Sequence, residues 1–201
     1  MKKVFIIAVI ALFYPSYAIS GQTYSSENTK ECGELICDLA GQPITGKIVA
    51  KYPDGKLWAE GNFQNGMLEG LTKTYYINGN FEFEENYKSG KLEGLKRIYY
   101  INGNLAAEVN YKNGQEEGLA KNYYINGNLW SEVNYKNGEE EGLIKAYDMN
   151  GNLGAEINFK DGKAVSGYLY ENGKKREMTN AHLHNMNKMF ETALSRQNGQ
   201  E

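Results

Sequence analysis

A repeated phrase limits the folds that are open to this chain. The sequence YYINGNLAAEVNYKNGQEEGL, from Tyr99 to Leu119, returns as YYINGNLWSEVNYKNGEEEGL from Tyr123 to Leu143, with 18 of 21 positions identical. Glycines keep the same step of 24 residues in three series, at 46, 70, 94, 118 and 142, at 55, 79, 103, 127 and 151, and at 66, 90, 114, 138 and 162. This lattice predicts a repeat architecture in which each unit packs on its neighbours.

Five units run from Gly46 to about Val165, and a partial sixth, YLYENGK, begins at Tyr168. The 201 residues include 23 glycines and 16 tyrosines but only 3 prolines, a composition that suits tight turns between aromatic strands. We therefore expect an all-β fold, an elongated single-sheet meander of repeated β-hairpins with a C-terminal amphipathic helix. The predicted segments are a signal peptide (1–18), an N-terminal cap (19–45), five repeats (46–165), a partial repeat (166–178) and the helix and tail (179–201).

The Asn-Gly or Asp-Gly dipeptide at the centre of each unit predicts a two-residue type I′ turn, because both central positions of that turn need positive φ. With Asn102-Gly103 as the turn, Tyr100 lies opposite Leu105 and Tyr99 opposite Ala106. The same count places four basic residues opposite glutamates, in the pairs Arg97–Glu108, Lys73–Glu84, Lys121–Glu132 and Lys145–Glu156. Cross-strand pairs of opposite charge support this register. The first unit differs, because Val49 faces Glu60.

Alternation along the strands separates two faces of the predicted sheet. The more continuously apolar one, called face one, carries in the third repeat Ile98, Tyr100, Leu105, Ala107, Val109 and Tyr111. The opposite side, called face two, carries the charge pairs, leucines at 71, 95, 119 and 143, tyrosines at 75, 99, 123 and 147, and Trp58 and Trp130. Gly94 falls opposite Tyr111 and Gly118 opposite Tyr135, so each ring is expected to cover a glycine.

The ends of the array need caps, because a hairpin alone cannot bury its apolar side. Residues 19–45 provide one cap, and the cysteines at 32 and 37 within it are expected to form a structural disulfide in an exported chain; a free redox pair or half of a metal site are the alternatives. The tail from Thr179 places Leu183, Met186, Phe190, Ala193 and Leu194 at helical spacing, with Thr179 or Asn180 as N-cap.

The first residues, MKKVFIIAVIALFYPSYA, have the three-part pattern of a secretory signal peptide with cleavage after Ala18. The apolar run from Val4 to Phe13 is short of the roughly 20 residues that a membrane-spanning helix needs. Removing residues 1–18 leaves 20 basic and 25 acidic residues, a net charge of −5, which does not favour nucleic acid or an anionic bilayer. We expect an exported protein, periplasmic or secreted.

Residues with catalytic or metal-binding chemistry are few. The two histidines, His182 and His184, are spaced to point to different sides of a helix, and no acid or thiol is placed to complete a zinc site. A glutamate that recurs once per repeat (60, 84, 108, 132, 156) is typical of a structural ladder. The acidic turns Glu116-Glu117 and Glu139-Glu140-Glu141 lack calcium-loop spacing and are expected to be solvated charge. No nucleophile motif or phosphate loop occurs. We expect no enzyme activity, cofactor or metal.

The pattern YYINGNLxxExNYKNGxxEGL resembles the MORN repeat variant, of the kind found in bacterial proteins of the YwqK family of toxin–antitoxin antitoxins. The resemblance extends over roughly Gly46 to Val165. It implies β-hairpin sheets that serve as rigid scaffolds, as dimerisation surfaces or, in some proposals, as lipid contacts.

These observations favour an exported protein-binding scaffold, with a homodimer as a further expectation. The aromatic residues of face two are the expected contact surface: Trp58, Tyr75, Tyr99, Tyr123, Trp130 and Tyr147. An antitoxin that neutralises a partner toxin, or a cell-wall glycan binder, are the alternatives. Glycan-binding hairpin repeats usually supply one tryptophan per unit, and this chain has 2 in all.

Overall fold

The computed structural model describes residues 23–197, and side chains up to residue 188. The predicted signal peptide, residues 1–18, lies outside the described residues. The described residues divide into two compact units, an N-terminal one up to Gln115 and a C-terminal one from Glu116. No helix within residues 23–197 is long and apolar enough to cross a membrane.

The N-terminal unit consists of short cap strands followed by hairpins. A turn of 3-10 helix, Ser26–Asn28, separates β1 from β2. The strands are β1 (Thr23–Ser25), β2 (Thr29–Cys32), β3 (Leu35–Asp38), β4 (Gly46–Lys51), β5 (Leu57–Gln64), β6 (Met67–Leu68), β7 (Gly70–Tyr75), β8 (Phe81–Lys88), β9 (Lys91–Leu92), β10 (Gly94–Tyr99) and β11 (Leu105–Lys112), with the short β12 (Gln115–Glu116) at the division. Successive long strands from β4 to β11 pair antiparallel.

The C-terminal unit continues the same pattern and ends in a helix. Its strands are β13 (Gly118–Tyr123), β14 (Leu129–Lys136), β15 (Glu139–Glu140), β16 (Gly142–Tyr147), β17 (Leu153–Lys160), β18 (Lys163–Glu171) and β19 (Lys174–Glu177), followed by helix α1 (Asn180–Gln197). Each long strand pairs antiparallel with the next. The predicted meander of β-hairpins with a C-terminal helix is therefore confirmed.

The predicted charge register is confirmed, but the predicted turn is wrong. All four basic residues lie opposite their glutamates, and Val49 lies opposite Glu60. At Asn102-Gly103, however, only the glycine has positive φ, and the Gly103 N–H donates to the carbonyl of Tyr100. The connection is a type I turn with a following bulge. Its physical cause is Asn102, whose side-chain oxygen accepts the N–H of Asn104 and holds a conformation that needs no positive φ at the asparagine.

The two-residue type I′ turn occurs at the second turn of each repeat, which is Asn-Gly in the first, third and fourth repeats, Ser-Gly in the second and Asp-Gly in the fifth. Asn113 and Gly114 have φ of 52° and 85°, and Asn137 and Gly138 have φ of 52° and 85°. Positive φ at both positions defines this turn type. The dipeptide thus occurs twice in a repeat with two different conformations.

The bulge also moves residues between the faces. Tyr99 lies opposite Leu105 rather than Ala106, while Ile98 lies opposite Ala107. Leu105 therefore shares face two with Tyr99, and its assignment to face one was wrong. Its counterpart Phe81 confirms this placement, because the Phe81 ring contacts the rings of Tyr75 and Tyr99, with centroids 5.1 and 5.8 Å apart.

Glycine and tyrosine lie opposite each other as predicted, but not for the predicted reason. Gly94 lies opposite Tyr111 and Gly118 opposite Tyr135. A Cβ added at either glycine would meet no atom within 4 Å, so the ring does not demand the missing side chain. The glycines have φ of 86° and 79°, a backbone conformation that disfavours other residues.

The N-terminal cap buries face one of the first repeat. Ile44 packs with Ile48, Phe63 and Leu68, and Ile36 adds to the cluster. Strand β1 pairs parallel with the outer edge of β4. The cap is joined to the hairpin by two backbone hydrogen bonds at its Asn-Gly turn, one from the Ile36 N–H to the carbonyl of Gly66 and one from the Gly66 N–H to the carbonyl of Ile44.

Helix α1 covers face one in the C-terminal unit. Leu183 and Met186 pack against a cluster formed by Val133, Ile144, Phe159 and Ala164. The side-chain amide of Asn187 accepts the N–H of Ala164 and donates to its carbonyl, at 2.8 and 3.0 Å. The amide thereby takes the place of a neighbouring strand along this part of β18.

Candidate protein-binding surface

A ladder of tyrosine hydroxyls and glutamates links strands of successive repeats on face two. The Tyr75 hydroxyl donates to Glu60 at 2.9 Å, and the Tyr99 hydroxyl donates to Glu84 at 2.6 Å. In the C-terminal unit the Tyr147 hydroxyl donates to Glu132 at 3.0 Å. Partial burial, reinforced by these glutamates, raises the pKa of Tyr75 and of Tyr99 to about 12. The phenols are thus held as neutral donors.

Three cations of face two in the N-terminal unit bind glutamates of the column that recurs once per repeat. Lys73 lies 3.5 Å from Glu84, and Arg97 binds Glu108 at 3.0 Å. Glu60, which faces Val49, finds its cation in Lys47 at 2.6 Å. The Lys73 ammonium also lies 4.9 Å from the centre of the Phe81 ring, close enough for a cation–π contact. The charged and aromatic groups of this face therefore hold one another in place.

Face two also carries an asparagine whose side chain binds the backbone of a leucine on the paired strand. The side-chain amide of Asn86 donates to the carbonyl of Leu95 at 3.1 Å, and that of Asn134 donates to the carbonyl of Leu143 at 3.0 Å. Leucines of this column remain open to solvent, with exposures of 41%, 40% and 39% at Leu71, Leu119 and Leu143. Face two combines ordered polar groups with exposed apolar side chains.

The two tryptophans do not join the tyrosine column, contrary to the predicted six-residue surface. Trp58 packs against Ala50 and Ala59, two buried residues of face one, and its ring contacts Tyr52. Trp130 is the counterpart of Trp58 in the fourth repeat and contacts Tyr124, with ring centroids 6.2 Å apart. The physical reason is the bulge after each type I turn, which turns this position away from face two.

Face one is less apolar than predicted. Glu85 and Lys96 form an ion pair of 2.6 Å there, and the Tyr87 hydroxyl also donates to Glu85 at 2.9 Å. The Lys96 ammonium lies 5.0 Å from the Phe83 ring centre. Every hydrophobic cluster formed by buried residues within 23–188 nevertheless lies on face one, next to a cap or beneath Trp58.

The recurring glutamate before Gly70, Gly94, Gly118 and Gly142 has a role that the sequence analysis missed. Each carboxylate accepts the backbone N–H at the start of the next Asn-Gly type turn, in the pairs Glu69–Ser89, Glu93–Asn113, Glu117–Asn137 and Glu141–Asp161, at 2.8 to 3.0 Å. The interpretation of Glu117 and Glu141 as solvated charge was therefore wrong. Their spacing of 20 residues from the turn they bind was the available signal.

The remaining candidate residues have structural contacts. The Thr179 N–H donates to Nδ1 of His182 at 3.1 Å, and the His182 N–H donates to the Thr179 hydroxyl, so the pair caps helix α1. Cys32 and Cys37 are joined by a disulfide that closes the β2–β3 hairpin, with Cα atoms 6.0 Å apart. Residues 23–197 contain no cluster of three or more His, Cys, Asp or Glu arranged to hold a metal ion.

Comparison with known families identifies the type of repeat. The family described as the MORN repeat variant matches residues 44–65, 92–113 and 116–137. The first segment contains the β4–β5 hairpin, the second β10–β11 and the third β13–β14. None of the curated proteins matches the chain. Over these three segments the chain is therefore similar to the MORN repeat variant.

Proposed function

We propose that this protein is a non-enzymatic scaffold that holds another protein on face two. Repeats of this type are commonly elements that bind proteins or membranes. The observation that carries the proposal is the difference between the faces: the caps pack on face one, while face two presents an ordered array of rings, charges and exposed leucines.

The physical advantage of face two is that its side chains are ordered before binding. Association costs conformational entropy for every long side chain that it immobilises. Here Tyr75 and Tyr99 are fixed by their hydroxyl bonds, Phe81 lies between their rings, and Lys73 is held by Glu84. Aromatic groups ringed by polar ones are typical of protein interfaces. A protein ligand would lose little of its binding free energy to ordering this surface.

Charge favours a protein over a membrane as the ligand. An anionic lipid surface attracts clusters of unpaired lysine and arginine. On face two Lys73 and Arg97 already lie beside glutamates, and the chain has a formal net charge of −3. The exposed leucines provide apolar contacts that suit a protein surface.

We propose that the protein works after export, in the periplasm or outside the cell, on the basis of the sequence of residues 1–18. A partner toxin, as the resemblance to the YwqK-family antitoxins would imply, is one form that the partner could take. Pairing of two copies through face two is another.

The test compares two triple variants of the tagged mature chain. The first replaces Leu71, Leu119 and Leu143 of face two by serine. The matched control replaces three hairpin-turn residues of similar or greater exposure, Ile77, Ile125 and Met149, which are 46%, 52% and 53% exposed. Partners are crosslinked in the native envelope, identified by mass spectrometry, purified and titrated against each variant.

We expect the face-two variant to lose at least tenfold in affinity for the recovered protein, and the control to keep its affinity. Circular dichroism checks that both variants retain the β-sheet. Equal affinities, or recovery of wall glycan in place of a protein, would contradict the proposal.

A further inference from the structure

Strand β19 leaves one edge of the C-terminal unit open. It pairs with β18 through the register Tyr168–Glu177 to Glu171–Lys174, and no strand of this unit pairs with its other side. All four of its residues, Lys174–Glu177, are exposed. An unpaired edge presents a row of backbone donors and acceptors to any extended chain.

The register determines which backbone groups face outward. The N–H of Met178 donates to the carbonyl of Gly167, so this pair is hydrogen-bonded within the hairpin. Hydrogen-bonded and non-bonded pairs alternate along an antiparallel ladder. Arg176 and Lys174 therefore direct their backbone groups toward β18, whereas Lys175 and Glu177 direct theirs toward the open side.

Two other strand edges are covered. Strand β1 pairs with the outer edge of β4 in the N-terminal unit. On β18, the side chain of Asn187 binds the backbone of Ala164, which lies N-terminal to the part of the strand that pairs with β19. Among the residues that the structure describes in the C-terminal unit, none covers the outward backbone groups of β19.

The side chains of β19 determine what the edge would accept. Lys174 and Arg176 share one side of the strand, and Arg176 lies 3.6 Å from Glu171 in a pair that is 57% and 70% exposed. Lys175 lies on the opposite side, on face two, 3.8 Å from Glu156 and 3.8 Å from the centre of the Tyr168 ring. Three of the four residues of β19 are basic, so a second antiparallel copy would bring basic residues opposite one another, whereas an acidic strand would find complementary charge.

We propose that the open edge of β19 binds an acidic extended segment of another protein, which adds a strand to the sheet. Backbone bonds to Lys175 and Glu177 give the segment its extended form. Glutamate or aspartate at every second position lies opposite Lys174 and Arg176. Strand addition of this kind obtains affinity from the main chain and specificity from alternate side chains. The outward backbone groups of β19 are distinct from the side chains of face two, and Lys174 and Arg176 lie on the opposite side of the strand from Lys175, so either proposal can fail without the other.

The test uses a fluorescent eight-residue peptide that alternates glutamate with threonine and has blocked termini. Its binding to the mature chain is measured by fluorescence anisotropy, against the same peptide with lysine in place of glutamate. We expect the acidic peptide to bind and the basic peptide to show no binding. Hydrogen exchange should show slower exchange at the amides of Lys175 and Glu177 when the acidic peptide is present.

Two matched comparisons separate the backbone from the charge. Lys175→Pro removes both the side-chain charge and the outward backbone N–H, whereas Lys175→Ala removes the charge and keeps the N–H. Proline is tolerated where the N–H faces solvent on an edge strand. We expect the proline variant to lose binding at least tenfold relative to the alanine variant. The double variant Lys174→Glu/Arg176→Glu should also lose at least tenfold, and Lys136→Glu, an exposed lysine at the end of β14, should lose less than threefold.

Equal binding by the proline and alanine variants would overturn the proposal, as would equal binding of the acidic and basic peptides. Self-association that disappears in Lys175→Pro would assign the edge to a second copy and would also overturn it. If the proline variant fails to fold, unchanged amide exchange at Lys175 and Glu177 of the unsubstituted chain with saturating peptide would overturn it equally.

Discussion

Asn187 attaches helix α1 to the sheet, and its replacement by alanine tests whether the helix is a structural cap. Its side chain makes two hydrogen bonds with the backbone of Ala164, at 2.8 and 3.0 Å. Ala164 is only 5% exposed, so water has little access to its N–H and carbonyl once the amide is removed. The substitution therefore removes two bonds and leaves two backbone groups poorly satisfied.

The expected loss in the free energy of unfolding follows from these contacts. A neutral hydrogen bond contributes about 1 kcal/mol net, and a buried polar group left without a partner costs about 1 to 3 kcal/mol. Some water entry reduces the cost, so we expect a loss of about 2 to 3 kcal/mol for the C-terminal unit. The matched control is Asn185→Ala, an exposed asparagine of the same helix, which should change the free energy by less than about 0.5 kcal/mol.

Urea unfolding and hydrogen exchange measure this prediction. The denaturant midpoint gives the change in free energy. Exchange at the amides of β18 and α1 shows whether the helix detaches before the sheet unfolds. If Asn187→Ala and Asn185→Ala have the same stability, the amide does not attach the helix and the assignment of α1 as a cap is wrong.

Three further predictions concern the contacts between repeats and the N-terminal cap. Glu93→Ala should cost about 1 kcal/mol in urea unfolding, because the N–H of Asn113 loses its acceptor, and Glu93→Gln should recover at least half of that loss; equal losses would contradict the capping role. In an alkaline titration followed by tyrosinate absorbance, Tyr75 and Tyr99 should ionise near pH 12, and Tyr→Phe variants identify their signals. Because these pKa values are raised on folding, their contribution to stability is complete below about pH 10 and is lost between about pH 10 and 12; ionisation of both phenols near pH 10 would refute the ladder. The exported chain should carry the disulfide of the cap hairpin, and free, alkylatable thiols in intact protein mass spectrometry would contradict this.

The sequence predicted the large-scale order of the fold because that order is periodic. A 24-residue glycine lattice fixes the number of hairpins, and opposite charges such as Arg97 and Glu108 fix the register, since a slip of one residue would move every side chain to the other face. The C-terminal helix was predictable from apolar spacing and from Thr179 at its start. These features depend on periodic spacings of glycine, charge and apolar residues that are visible in one sequence.

The errors came from short-range chemistry that the lattice does not resolve. Asn-Gly occurs twice in the third and fourth repeats, and in the third the bond from the Asn104 N–H to Asn102 decides that only the second occurrence is a type I′ turn. The bulge that follows the first turn places Leu105 on face two. The equivalent bulge in the fourth repeat turns Trp130 away from its predicted position. The glutamate caps were missed because Glu93 binds a turn 20 residues away, a contact that exists only once two hairpins are side by side.

The most direct test of the central claim, that face two is the surface that holds a partner, is a site-specific crosslinking map. A photoreactive amino acid is placed in turn at Leu71 and Leu143, which are exposed on face two, and at Asn185 and Lys188 of helix α1, which covers face one. After irradiation in the native envelope, we expect the same crosslinked protein from both leucine positions and none from the helix positions. A partner that crosslinks from the helix and not from Leu71 or Leu143 would contradict it.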